Sequence, residues 1–276
     1  MRKLLSADFS RLWKNKVFWA CMGAMLLYAV IYMLNGCKQA SLHLTDYNYS
    51  IDQYYFHFAV SIGVFCALFS SMFLGTEYSD GTIRNKIAAG HTKAAIYMAG
   101  LVTATAATLL MMSAWLIGAL VAVPTLGVWQ MGVAGLLLYL LIAVMCVAAF
   151  SAICTFINML CTNKAASVAI SLLLILGLLI FSSMLYNALQ EPEMTSGVQI
   201  TANGVVTSES LPNPNYISGV TRKIYELVLD VLPTGQGLNL WWLKIAHPVR
   251  MLVSSAAITL FTTLGGIFIF KKKNLK

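Results

Sequence analysis

The residues whose types could do chemistry gather in one stretch, Glu77 to Lys93, which reads EYSDGTIRNKIAAGHTK. It is the most highly charged stretch lying between hydrophobic segments that carry almost no charge. What it offers is ion pairing and docking, not covalent chemistry. The chain has no CxxC pair or His/Cys cluster to hold a metal, and no Gly-Lys-Ser/Thr follows Gly75 and Gly81 to cradle a phosphate, so it cannot hydrolyse ATP alone. Thr82 reads as the N-cap of a short helix, Ile83 and Ile87 lie four apart on one face, and Gly90 suits a left-handed C-terminal cap. Arg84, Asn85 and Lys86 then point the other way, and Thr92 caps the next helix. The whole reads as one stiff elbow exposed to water between two membrane spans; the competing reading is an ordinary basic loop.

The elements that position this elbow follow from composition. The chain is 59% hydrophobic and 10% charged, whereas a soluble domain is about 25% charged. That much apolar surface does not fit inside one soluble core. A bilayer core of about 30 Å is crossed by roughly 20 helical residues. Six segments are long enough: 17–34, 56–74, 94–123, 131–160, 165–187 and 249–270. The third and fourth exceed one crossing and must tilt or project. The expected fold is an all-α integral membrane protein, a single transmembrane domain over residues 1–276.

Net charge of +8 is first a topology signal. Basic residues cluster at Arg2, Lys3, Arg11, Lys14 and Lys16, at Arg84, Lys86 and Lys93, at Lys164, and at Lys271, Lys272, Lys273 and Lys276, always on one side of the six spans. Only Lys38, Arg222, Lys223, Lys244 and Arg250 fall opposite, so both termini and the elbow are expected in the cytoplasm of a multi-pass cell-membrane protein. Nucleic acid is excluded as a partner because the basic residues flank membrane spans instead of forming one patch.

Before the first span, Leu5, Phe9, Leu12 and Trp13 share a helical face opposite Lys3, Ser10, Arg11 and Lys14, which predicts an interfacial helix on the inner leaflet. Tyr47, Tyr49, Tyr54, Tyr55, Trp129, Trp241 and Trp242 suit an outer aromatic belt, and His57 reads as a solvated interfacial histidine. No Asp, Glu, Lys or Arg falls within the spans as drawn. Carriers driven by proton or sodium gradients need polar machinery at that depth, so energy is expected to enter from outside the bilayer. Hydroxyl residues such as Ser70, Ser71, Ser167 and Ser171 suit helix packing.

Residues 188–248 form the one sizeable extramembrane part, expected outside the cell. Val198 to Thr207 predicts a hairpin centred on Asn203-Gly204. Ile217, Val220, Ile224, Leu227, Val228 and Val231 make one apolar helical face that stops at Pro233, and Leu238 to Ala246 forms a second apolar run. These helices sit on or dip into the outer face, as a lid or as a gate.

This organisation resembles the membrane permease of type-2 ATP-binding-cassette exporters, the group that includes bacterial antibiotic- and lantibiotic-resistance exporters. The resemblance covers the whole chain, and its sharpest points are Glu77 through Gly81, Thr82, Ile83 and Gly90, with Pro233 and Gly235 ahead of the last span. It implies that the elbow is a coupling helix seated in a groove of a separate cytoplasmic ATPase. Glu77, Gly81, Thr82, Arg84 and Lys86, within a stretch completed by Asp80, Ile83, Asn85 and Gly90, are then the residues that contact the ATPase or hold the elbow. ATP and Mg would be bound by the ATPase subunits and no cofactor by this chain. A second copy or a related permease would complete the transporter, which would move a lipidic, peptide or amphipathic drug-like substrate. Two other classes remain open: a non-transporting sensor or immunity scaffold that binds an external peptide, and an intramembrane enzyme, for which no paired acids or nucleophile set is visible.

Overall fold

The computed structural model describes residues 1–276 apart from 43–50, 127–128, 130, 202–203 and 274–276, and for 53, 125–126, 196–201 and 204–210 it describes the backbone alone. The expected belt residues Tyr47 and Tyr49, the turn residue Asn203 and the tail residue Lys276 therefore lie outside the described residues.

Among the described residues, six helices are long and apolar enough to cross a membrane. They are α2 (Lys16–Ser41), α4 (Phe58–Ser79), α6 (Lys93–Ala119), α8 (Val133–Leu160), α9 (Lys164–Gln190) and α12 (Pro248–Lys272). Shorter elements join them: α1 (Arg2–Trp13), α3 (Ile51–Tyr55), α5 (Thr82–Ala88), α7 (Val123–Leu126), α10 (Gly219–Val231) and α11 (Pro233–Trp241). Every Asp, Glu, Lys and Arg of the six long helices lies in the first or last turn, as a charge in hydrocarbon would demand. The first helix runs seven residues past the expected Leu34, to Ser41. Gly36 lets this extension meet the Tyr54 ring, since a Cβ there would stand 2.7 Å from it.

α4 is the central post and packs on α6, α8, α9 and α11. Its small residues explain the closeness, because a Cβ on Gly63 would fall 2.7 Å from the Phe150 ring of α8. One polar knot ties three helices together. Asn158 of α8 donates to Ser70 at 3.1 Å and accepts from Ser71 at 2.9 Å, both on α4, and accepts from Ser171 at 3.3 Å and from Ser167 on α9. Asn158 lies near the end of α8 yet is fully buried, and it satisfies its amide with four hydroxyls.

At the end of the bundle away from the termini, strands β1 (Met194–Thr201) and β2 (Gly204–Pro212) form the predicted hairpin. The register pairs Thr201 with Gly204, so Gly204 is a strand residue and not the second turn residue expected. α10 leaves its apolar stripe outward, with Val220, Ile224 and Leu227 exposed, while Leu229 and Asp230 turn inward. α11 does not lie on the surface. Pro233 through Leu240 are buried among α4, α8 and α9. Two glycines permit this, because a Cβ on Gly235 would be 2.4 Å from the Leu229 carbonyl oxygen and one on Gly237 2.4 Å from that of Ala59. Backbone cannot retreat as a side chain can. Gly237→Ala is therefore expected to lower stability by about 1–3 kcal/mol, whereas Gly177→Ala, with open space around it, is expected to raise it by about 0.5–1 kcal/mol. Thermal unfolding midpoints of the two variants in one detergent compare them directly.

His57, the residue before α4, is 8% exposed and not solvated as expected. Aromatic rings displace water from it: Tyr32 stacks on the imidazole at 4.0 Å, Trp241 meets it edge-on at 4.6 Å, and the Tyr28 hydroxyl bonds Nε2 at 2.7 Å. Burial pushes its pKa down to about 4 from 6.5. A lowered pKa means the folded state holds the neutral form, so its contribution is full above pH 6.5 and fades as pH falls toward 4. The loss between pH 8 and pH 5 is about 2 kcal/mol. The acid-induced drop in unfolding midpoint is expected to shrink in His57→Phe; an unchanged drop would assign it to other groups.

Candidate functional site

The elbow is built from its turns inward. α4 ends at Ser79 with Asp80 as its C-cap, and Gly81 takes the left-handed conformation (φ 67°) that a side chain would resist. Its N–H bonds the Tyr78 carbonyl at 3.2 Å. The Thr82 hydroxyl donates to the Glu77 carbonyl at 3.1 Å. Thr82 is thus the first residue of α5 and closes the turn, while Gly81 holds the N-cap place expected of Thr82. At the other end Gly90 adopts φ 85°, its N–H bonds the Ile87 carbonyl at 2.9 Å and the His91 N–H bonds that of Lys86 at 3.2 Å, a Schellman turn. Thr92 then caps α6 by accepting from the Ala95 N–H at 3.2 Å. Two left-handed glycines and one threonine cap fix the direction of a helix of seven residues, too short to hold itself.

Beneath α5 lies a buried ion network. Glu77 is 1% exposed, and its Oε1 accepts from Lys86 Nζ at 2.8 Å and meets Arg11 Nη2. Lys86 Nζ also bonds Asp8 Oδ1 at 2.8 Å. Arg11 lays its guanidinium 3.9 Å over the Phe73 ring. Two acids and two bases from α1, α4 and α5 thus form a neutral quartet. Two expectations change here. Lys86 does not point to solvent with Arg84 and Asn85, and Arg11 does not lie on a polar outer face of α1. Both turn inward because Glu77 and Asp8 would otherwise be buried charges without counter-charge. The buried stripe of α1 is Leu4, Asp8 and Leu12, packed toward α6. Asp8 was missed by the sequence reading, although an acid in the middle of an i, i+4 apolar stripe was its signal.

The remaining elbow residues divide cleanly. Ile83 is buried, Ile87 half-buried against the core, and Asp80, Arg84, Asn85 and Gly90 are exposed. Arg84 makes no ion pair among the described residues. The tip therefore presents an acid, a base and an amide to whatever lies below it.

Lysines lash the C-terminal end of the chain to the same place. Lys273 donates to the Met159 and Leu160 carbonyls at 3.1 and 2.8 Å, where the last carbonyls of α8 lack partners within the helix, and to the Tyr78 hydroxyl at 3.2 Å, which itself donates to the Met159 carbonyl. Lys93 does the same for α12, donating to the Lys271 and Lys273 carbonyls at 3.0 and 2.7 Å. Burial lowers the Lys273 pKa from its ordinary value, with the nearby Cys161 acting weakly in the other direction. Helices α4, α6, α8 and α12 thus share one cross-braced end with the elbow.

A second polar centre lies at the opposite end. Asp230, 3% exposed, accepts from Arg250 at 3.1 Å and Asn239 at 3.3 Å and faces His247 at 3.2 Å. Burial raises its pKa, and His247 and Arg250 pull it partly back. No group of three or more His, Cys, Asp or Glu able to hold a metal occurs among the described residues.

A search among curated proteins finds no match. The sequence model of the ABC-2 family transporter protein matches residues 4–184, from the inner stripe of α1 to the last turns of α9, with the elbow in between. Six membrane-length helices and a family match over most of them make this chain the transmembrane permease component of an ABC transporter, a member of the ABC-2 family of transporter proteins.

Proposed function

We propose that this permease exports a lipidic, peptide or amphipathic drug-like substrate from the cytoplasm or inner leaflet, driven by separate cytoplasmic ATPase subunits that bind ATP and Mg. The observation that carries this reading is the elbow, an exposed tip of Asp80, Arg84 and Asn85 on a helix keyed through Lys86 to Glu77 and Asp8. A force on such a tip reaches α1 and α4 without being absorbed locally. The ATPase would meet that tip, and its closure on ATP would change the relative energies of inward- and outward-facing arrangements of the helices. Two copies, or this chain with a related permease, enclose the path. Both termini and the elbow face the cytoplasm of the cell membrane, in keeping with the lysines and arginines at that end. An antibiotic or lantibiotic is the kind of amphipathic cargo that such a path suits.

The test is purification with the ATPase and reconstitution in proteoliposomes. Uptake of an amphipathic peptide or dye that requires ATP on the elbow side is the expected result. Full transport with no nucleotide-hydrolysing companion would overturn the proposal, as would chemical labelling that places Arg84 outside the cell.

A further inference from the structure

At the end away from the elbow, α9, α10, α11 and the turn before α12 enclose a cleft of about 200 Å3. It is smaller than the roughly 300–1,000 Å3 of pockets that take drug-sized ligands. Its acids are already matched: Asp230 by Arg250, His247 and Asn239, and Glu226 by Arg222 at 3.2 Å. Two donors are not. Lys244 bonds a neutral acceptor, Gln190 Oε1, and has no carboxylate partner among the described residues. The hydroxyl of Tyr186, a residue 6% exposed, is buried with no hydrogen-bond partner. The two lie together, with the Lys244 ammonium 5.8 Å from the Tyr186 ring centre.

Lys244 is exposed and follows the turn that closes α11. Leu243 adopts φ 55° after α11, a conformation that suits glycine, and the Leu243 and Lys244 N–H groups then bond the Leu240 and Asn239 carbonyls at 3.3 and 2.9 Å. A buried hydroxyl without an acceptor beside a cation without a counter-charge is completed by one anionic oxygen group. Its position says what carries it: the cleft lies between the last turns of α9 and the residues that lead into α12, the ends of two membrane-length helices, where lipid headgroups sit. Next to its lining residues in sequence, Met184, Trp242 and Val249 are exposed, 49–71% of each surface being free, and side chains of this kind suit acyl chains.

We propose that this cleft binds the phosphate of an anionic lipid headgroup from the adjoining leaflet, with Lys244 as its cation and the Tyr186 hydroxyl as its donor. The assignment does not depend on the export reading. Dihexanoyl phosphatidylglycerol, titrated against the full-length purified protein and followed by native mass spectrometry, is the probe; dihexanoyl phosphatidylcholine and inorganic phosphate are run beside it. Lys244→Gln and Tyr186→Phe are each expected to weaken phosphatidylglycerol binding about tenfold or more, as loss of a hydrogen bond to a charged group does. Tyr186→Phe removes an oxygen that the described protein groups do not use, so its unfolding midpoint stays at the parent value and lost binding reports the ligand contact. Equal affinity for the two lipids, undiminished binding in either variant, or inorganic phosphate binding as tightly as phosphatidylglycerol would each overturn the lipid site.

Discussion

Glu77→Ala is expected to destabilise the folded bundle by about 3 kcal/mol, the low end of what removing one partner of a buried ion pair does. The low end applies because Arg11 is 31% exposed and can turn toward water, whereas Lys86, at 15%, cannot turn fully. What remains after the substitution is one acid facing two bases. Lys86→Ala in the same chain restores balance by leaving Asp8 with Arg11, so the double variant should lose less than the two single losses added together. Chemical or thermal unfolding in detergent measures all four members of this cycle. Additive losses would show that the quartet is not one unit, and an unchanged midpoint in Glu77→Ala would show that it holds nothing.

Arg84→Glu should do the opposite, leaving the fold within about 0.5 kcal/mol of the parent, as surface changes do, while lowering affinity for the ATPase roughly 30-fold. That factor corresponds to about 2 kcal/mol, a moderate value for a like-charge contact introduced at an interface. Lys86→Glu, about half a turn along the same short helix, would place a third acid against Glu77 and Asp8 and is expected to prevent stable folding. The pair separates contact from support: one side chain faces away from the bundle and the other into it. Pull-down of the ATPase and stimulation of its turnover by the permease give the readings. Undiminished pull-down and transport in a correctly inserted Arg84→Glu protein would remove the elbow from the docking surface.

The six long helices were legible because hydropathy over about 20 residues registers transfer out of water and little else. Gly90 and Thr92 were legible too, since a left-handed turn and a cap are set by local backbone chemistry. What one helix of seven residues could not reveal was which side its partners occupy. Arg84, Asn85 and Lys86 look alike in sequence, and only the acids of α1 and α4 draw Lys86 inward. The same limit applies to α10, whose apolar stripe has the right period but stays uncovered, and to α11, whose burial depends on Gly237 meeting the Ala59 carbonyl far away in sequence. His57 was misread for a related reason: a histidine near a span looks solvated until Tyr32 and Trp241 arrive from other elements.

The pairing of Asp8 with Lys86 bridges 78 residues, and this has a consequence for how the protein is made. When α1 leaves the ribosome its two complementary charges have nothing to meet, because the first two long helices must emerge before Lys86 does. Through that interval α1 waits at the water boundary with Asp8 and Arg11 hydrated. An N-terminal fusion that shields it, or a deletion that trims it, would show its first symptom at the elbow, as a polypeptide inserted with normal topology whose α5 never locks.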